Sequence, residues 1–186
     1  GHIAKYCPLL IRDDPAVILT CLSAVRVAPQ RFRLSVLENL SGIARAYRFP
    51  PSHLGEILLQ RIRDDMSAQE SGVRLACVQV ASAVFPFSDA PATFALLLGC
   101  ADASYEVKEM ATRALESGSA ADFLPFAAQR DGVTRNIETF PVWAELLTFV
   151  TRQVQEALQK AEDDTAVPFG PAFYQATFTF LERCLN

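Results

Sequence analysis

The fold is decided by residues 72–115, which read GVRLACVQVASAVFPFSDAPATFALLLGCADASYEVKEMATRAL. Apolar residues recur in this stretch every three or four positions, which is the period of one face of a helix. The first stripe consists of Val73, Ala76, Cys77, Val80, Ala81 and Val84. The second consists of Val107, Met110, Ala111, Ala114 and Leu115. Both stretches are therefore predicted to be amphipathic helices.

The two stripes repeat each other at a spacing of 34 residues, so that Val73 aligns with Val107 and Arg74 with Lys108. The helices in front of them align at a spacing of 40 residues, with Leu54, Ile57 and Leu58 matching Phe94, Leu97 and Leu98. We expect the extra six residues of the first unit to lengthen its loop near residues 64–70. A helix pair of this kind cannot bury its stripes alone, so neighbouring pairs must stack.

The predicted fold class is accordingly all-α, a fragment of a HEAT-like helical-repeat solenoid. Gly1 and His2 are interpreted as a cloning remnant. Residues 3–186 are then expected to form one solenoid fragment, with the clearest repeats at 52–86 and 89–117. Pro and a capping residue mark three expected helix starts, at Asp14 with Pro15, at Ser52 and at Pro141.

Apolar stripes extend the pattern on both sides of the repeat. Upstream, two stripes flank a break at Pro29, namely Ile18, Leu22 and Val25, then Val36, Leu40, Ile43 and Tyr47. Downstream, a helix of about five turns is expected from Trp143, Leu146, Leu147, Val150, Val154 and Leu158. The last segment alternates like a strand at Ala176, Phe178 and Phe180, but Phe173, Ala176, Phe180 and Cys184 also suit a helix that begins near Pro171. We favour the helix.

Composition argues against several classes of function. The net charge of −4 disfavours nucleic-acid binding, which needs a concentrated positive surface. No apolar run approaches the roughly 20 residues of a membrane helix, so membrane insertion is not expected. The five cysteines are spread singly at Cys7, Cys21, Cys77, Cys100 and Cys184, which is typical of reduced, buried thiols. The expected location is the cytoplasm, with the nucleus as a further option.

The residues needed for chemistry are also missing from the sequence. The only histidines are His2 and His53, and no glycine-rich phosphate loop or closely spaced ligand pair is present. We therefore predict no catalytic residues, no cofactor and no metal. The acid pairs at 13–14, 64–65 and 163–164 are interpreted as solvated turn and capping residues rather than paired catalytic acids.

Two further features allow a structural and a binding interpretation. Arg74 and Lys108 could bind turn carboxylates of the same or the next unit, or could form a basic ladder for an acidic partner. Phe85 and Phe87 could pack between repeats or form an exposed docking knob. The structural interpretation is favoured in both cases, and no protein-binding residue is assigned.

The order of motifs in residues 72–115 resembles one family more narrowly. The segment has VR, then FP with D-x-P, then a leucine-rich helix that ends in AD, then EVKEMA. This order is similar to that of the large proteasome adaptor and scaffold family built from HEAT repeats. The resemblance implies a scaffold that tethers the 20S core to its 19S regulatory particle, with proteasome subunits as partners.

The leading hypothesis is thus a non-enzymatic scaffold that binds other proteins. The alternatives are another HEAT scaffold, such as a nuclear transport receptor, vesicle coat or phosphatase scaffold, and a HEAT-like DNA glycosylase. Self-association of the fragment is a further option, because a repeat without its neighbour exposes an apolar face.

Overall fold

The computed structural model describes residues 9–12, 14–117, 142–160 and 168–185, and over these ranges every regular element is helical. The predicted all-α fold is therefore confirmed for the described residues. The α-helices are α1 (Leu9–Arg12), α2 (Pro15–Val27), α3 (Gln30–Ala44), α4 (Ser52–Asp65), α5 (Ser71–Val84), α6 (Ala90–Cys100), α7 (Tyr105–Glu116), α8 (Val142–Lys160) and α9 (Pro171–Leu185). A short 3₁₀ helix, Arg45–Tyr47, follows α3.

Proline and aspartate set several of the helix boundaries. Asp14 caps α2 by accepting a hydrogen bond from the backbone N–H of Ala16 at 2.9 Å, and Asp89 caps α6 in the same way from Ala92 at 2.9 Å. Helix α4 begins at Ser52, directly after Pro51. The predicted starts at Asp14 and Ser52 are thus confirmed, whereas Pro141 lies outside the described residues.

Successive helices are arranged as contacting pairs. In the pairs α2–α3, α4–α5 and α6–α7, the second helices α3, α5 and α7 pack side by side. Helix α5 lies at the centre, because it contacts α2, α3, α4, α6 and α7. Helices α8 and α9 both pack on α6. The stack therefore buries α5 and α6 most completely, as expected for a repeat in which each pair needs its neighbours.

The positions that the 34-residue spacing aligns are buried alike. Val73 and Val107 are 3% and 0% exposed, and Cys77 and Ala111 are both 0% exposed. Close contact between the pairs depends on Gly99 of α6. A Cβ atom at this position would lie 2.8 Å from Cβ of Ala111 and 2.9 Å from Cγ2 of Val78. Gly99 therefore lets α6 approach α5 and α7 more closely than any larger residue could.

The predicted alignment of α4 with α6 is wrong in two respects. Ile57 is 48% exposed, because the buried face of α4 is formed by Leu54, Leu58 and Ile62 at intervals of four residues. The extra length of this unit also lies mainly in the helix rather than in its loop. Helix α4 has 14 residues and α6 has 11, and residues 64 and 65 are the last turn of α4.

The predictions for the helices before and after the repeat are confirmed in part. Ile18, Leu22 and Val25 are buried on α2, and Tyr47 is buried but belongs to the 3₁₀ helix. Helix α9 confirms the helical interpretation of the last segment, with Phe173 and Phe180 buried. Helix α8 has the expected length, but Leu147 and Leu158 are exposed rather than buried. The side chain of Trp143 lies outside the described residues.

Candidate interaction surface

The described cysteines are poor nucleophiles. Burial raises the pKa of Cys77 to about 12 and that of Cys184 to about 11, and it also raises the pKa of Cys21 and Cys100. All four thiols therefore stay protonated at neutral pH, and the thiolate is the reactive form. Cys7 lies outside the described residues.

No cluster of three or more histidine, cysteine and carboxylate side chains suited to a metal ion exists within the described ranges. His53 is exposed at the start of α4, and His2 lies outside the described residues. None of the helices described is both long and apolar enough to cross a bilayer.

Arg74 joins two successive turns of the stack. Its Nε and Nη2 atoms donate to the two carboxylate oxygens of Asp102, at 2.6 and 2.8 Å. Its Nη1 atom donates to the carbonyls of Ala68 and Gln69 in the preceding turn, at 2.7 and 2.8 Å. Burial alone would raise the pKa of Asp102, but the hydrogen bonds from Arg74 and the backbone N–H of Ser104 outweigh it and hold this pKa below its usual value. The structural interpretation of Arg74 is thus confirmed.

Basic residues occupy the fourth position of all three second helices, namely Arg33 in α3, Arg74 in α5 and Lys108 in α7. Arg33 pairs with Glu70, which immediately precedes α5. Sequence reasoning missed Arg33, although its position four residues into a helix after a proline break was the available signal. Lys108 has no carboxylate partner among the described residues and lines a recess of about 320 Å³ between α7 and α9. Its structural role stays a prediction.

The interpretation of the acid pair at 64–65 as solvated turn and capping residues is wrong for Asp65. Its side chain is 2% exposed and binds Arg26 at 2.9 Å and Arg61 at 2.5 Å. It therefore connects the ends of α2 and α4 inside the stack instead of being solvated in a turn. Asp14 is a cap, as predicted, whereas Asp13, Asp163 and Asp164 lie outside the described residues.

The aromatic residues are mostly core residues. Phe85 and Phe87 are 5% and 6% exposed, which confirms that they pack between helices rather than form a docking knob. Phe94 of α6 makes edge contacts with Phe149 of α8 and Phe173 of α9, at centroid distances of 5.5 and 5.6 Å. These contacts fix α8 and α9 on α6.

Three of the eight large apolar side chains that are exposed among the described residues lie at the edge where first and second helices are joined. Val27 ends α2 and is 79% exposed, Phe32 is the third residue of α3 and is 54% exposed, and Tyr105 begins α7 and is 73% exposed. We call these three residues the turn edge. Exposed apolar and aromatic groups of this kind are common at protein contacts. Sequence periodicity alone could not assign them, because it does not show which turns lie together.

Comparisons with known proteins agree with this picture. The sequence model of a family described as "Proteasome component ECM29, N-terminal" matches residues 1–99. The human protein named "Proteasome adapter and scaffold protein ECM29" is 24% identical over 189 residues, a match that covers 100% of this chain and 10% of the human protein. The chain thus spans about a tenth of that relative's length, and no solved structure matches it. The resemblance inferred from residues 72–115 is confirmed, and the chain belongs to the ECM29 family of proteasome components.

Proposed function

We propose that this chain is a segment of a proteasome adaptor and scaffold, in which stacked helix pairs bind proteasome subunits and help to link the core particle to its regulatory particle. The observation that carries the proposal is the family match over residues 1–99. The name of the human relative, which aligns along the whole chain, supports the same role. Assignment of the helix pairs to the HEAT class is part of this proposal.

The surface chemistry supports binding rather than catalysis. The described thiols are held protonated, and the turn edge offers apolar and aromatic groups for a partner. We therefore propose a non-enzymatic role. A cytoplasmic location, with the nucleus as a second site, agrees with four cysteines that form no disulfide. The other scaffold classes and the DNA glycosylase gain no support from the family match.

The proposal can be tested by affinity capture from cell extract with the 186-residue chain as bait and mass spectrometry as the readout. We expect enrichment of proteasome subunits at moderate salt. The double variant Phe32→Asp/Tyr105→Asp should lose most of this enrichment, because each change places a carboxylate on the turn edge. Ile57→Asp is the matched control, since Ile57 is also an exposed apolar residue but lies on α4 away from the turns.

Each outcome of the capture is informative. Retained proteasome enrichment by the double variant would exclude the turn edge as the contact. Recovery of a different set of partners would contradict the proteasome assignment. Sedimentation velocity of the bait alone, run in parallel, separates partner binding from self-association of the chain.

A further inference from the structure

A groove of about 520 Å³ crosses the C-terminal ends of the second helices. Its walls come from the ends of three helices that are far apart in sequence: Ser41 of α3 with Arg45 directly after that helix, Ser82 of α5, and Arg113 of α7 with Ser117 directly after that helix. The volume is in the range of pockets that hold small ligands or a few residues of a peptide. The groove exists only because α3, α5 and α7 are stacked side by side.

The groove is basic in a protein that is acidic overall. Three arginines, Arg45, Arg48 and Arg113, line it, and no Asp or Glu lines it among the described residues. Arg45 is exposed and has no carboxylate partner within the described ranges. Arg113 pairs with Glu109 one turn away at 2.5 Å, but its side chain stays 73% exposed. Because the whole chain carries a net charge of −4, a groove that is lined by arginines and by no acidic residue of the described ranges differs from the rest of its composition.

The floor and walls add apolar and hydrogen-bonding character. The buried rings of Phe85 and Phe87 and the half-buried Met110 line the groove beneath the arginines. The hydroxyl of Ser82 donates to the carbonyl of Gln79 at 3.2 Å, and that of Ser117 donates to the carbonyl of Ala114 at 3.1 Å. Each hydroxyl oxygen can still accept a hydrogen bond, as a peptide N–H would require.

Basic residues are favoured at helix C-termini for structural reasons, since they offset the negative end of the helix dipole. That preference explains single arginines but not a shared cavity with an apolar floor. We propose that the groove binds an acidic peptide segment of a partner protein, in which an apolar side chain rests on the floor and flanking carboxylates bind Arg45 and Arg113. Arginine suits this role because its planar guanidinium binds carboxylates through two parallel hydrogen bonds.

The same geometry disfavours nucleic acid as the occupant. Single-stranded nucleic acid binds to aromatic faces on which bases stack, together with a long positive track. Phe85 and Phe87 are only 5% and 6% exposed, so they leave a small apolar area that a side chain can contact but no open ring face on which a base could stack. The inference goes beyond the proteasome proposal, because it concerns the chemistry of the bound segment, whichever protein supplies it.

The test is fluorescence anisotropy of the 186-residue chain with a labelled acidic peptide, DDLDE, at low and moderate salt. The double variant Arg45→Glu/Arg113→Ala should weaken binding by at least about tenfold, because it removes both carboxylate-binding groups. Arg63→Glu is the matched control, since Arg63 is an exposed arginine on α4 outside the groove, and it should bind the peptide like the unchanged chain. Circular dichroism verifies that both variants keep their helices.

The inference would be overturned by no binding of DDLDE, by an equal loss of peptide affinity in the Arg63→Glu control, or by equally tight binding of a single-stranded RNA of the same charge. The basic peptide KKLKR should not bind, and binding would also count against the inference. Proteasome capture by the groove variant is measured separately. Capture can survive when peptide binding is lost, so failure of this inference and failure of the proposed function are distinguishable.

Discussion

Helices α6 and α8 pack against each other, yet their environments differ sharply. Helix α6 buries residues around most of its circumference, including Thr93, Leu96 and Gly99, because α4, α5, α7, α8 and α9 all contact it. Helix α8 lies against α6 and α9 and buries Leu146 and Val150, while Leu147 of the same helix is 43% exposed. Burial in a stacked array thus follows the number of neighbours that a helix has, and composition follows it too, since α6 contains no charged residue whereas α8 contains four.

The largest effect should come from a charge inside the central stack. Val107→Asp places a carboxylate at a position that is 0% exposed, so that the charge loses its hydration. We expect the free energy of unfolding to fall by about 4 kcal/mol, measured by urea denaturation. The neighbouring change Glu106→Ala, on the exposed face of α7, should cost less than about 0.5 kcal/mol. Equal, small effects would mean that the buried face of α7 is assigned wrongly.

The next largest loss of stability should come from a buried leucine of α8, compared with an exposed leucine of the same helix. Leu146→Ala removes a side chain that is 0% exposed and should lower the free energy of unfolding by about 3 kcal/mol, since it leaves a cavity against α6. Leu147→Ala, on the exposed side of the same helix, should cost less than about 0.5 kcal/mol. Chemical denaturation of both variants under the same conditions measures the difference. A similar loss in both would show that α8 is buried on both faces.

The two ion pairs that join neighbouring turns, Arg74–Asp102 and Arg33–Glu70, also differ in how deeply they are buried. Asp102→Asn breaks a pair whose side chains are 16% and 7% exposed, and should cost about 2 kcal/mol at pH 7 because Arg74 keeps its charge without a full partner. Glu70→Gln alters the pair of Arg33 with a side chain that is 53% exposed, and should cost less than about 1 kcal/mol.

The Asp102 pair also makes stability depend on pH. The pKa of Asp102 is lowered by folding, so its contribution is fully present above the unfolded-state value of about 3.9 and is lost as the pH falls through the folded-state value. The difference in the free energy of unfolding between the unchanged chain and Asp102→Asn should therefore shrink as the pH falls from about 5 through the folded-state pKa of Asp102. Urea denaturation across this range measures it, and a constant difference would contradict the assignment.

Some buried helix faces could be predicted from the sequence, whereas the groove could not, and the reasons are physical. The faces of α5 and α7 were predictable, because two long stripes with the same spacing leave one choice of face. Ile57 was assigned wrongly, since a stripe of three residues on α4 is compatible with two adjacent faces. The groove with Arg45 and Arg113 could not be predicted, because its residues come from separate helices and meet only after stacking.

The smallest effect compares two glycines in helices, Gly99 in α6 and Gly42 in α3. Alanine is favoured over glycine inside a helix by about 1 kcal/mol, so Gly42→Ala, whose Cβ would meet nothing within 4 Å, should stabilise the chain by up to that amount. At Gly99 the same gain is opposed by overlap with Ala111 and Val78, and separating the packed helices should cost more than the gain. We expect a net loss of about 1 kcal/mol, measured by thermal and urea denaturation. Because the two substitutions are chemically identical, changes of opposite sign in the free energy of unfolding would be due to the packing of α6 against α5 and α7. Stabilisation by both substitutions would show that α6 can move away from its neighbours at little cost.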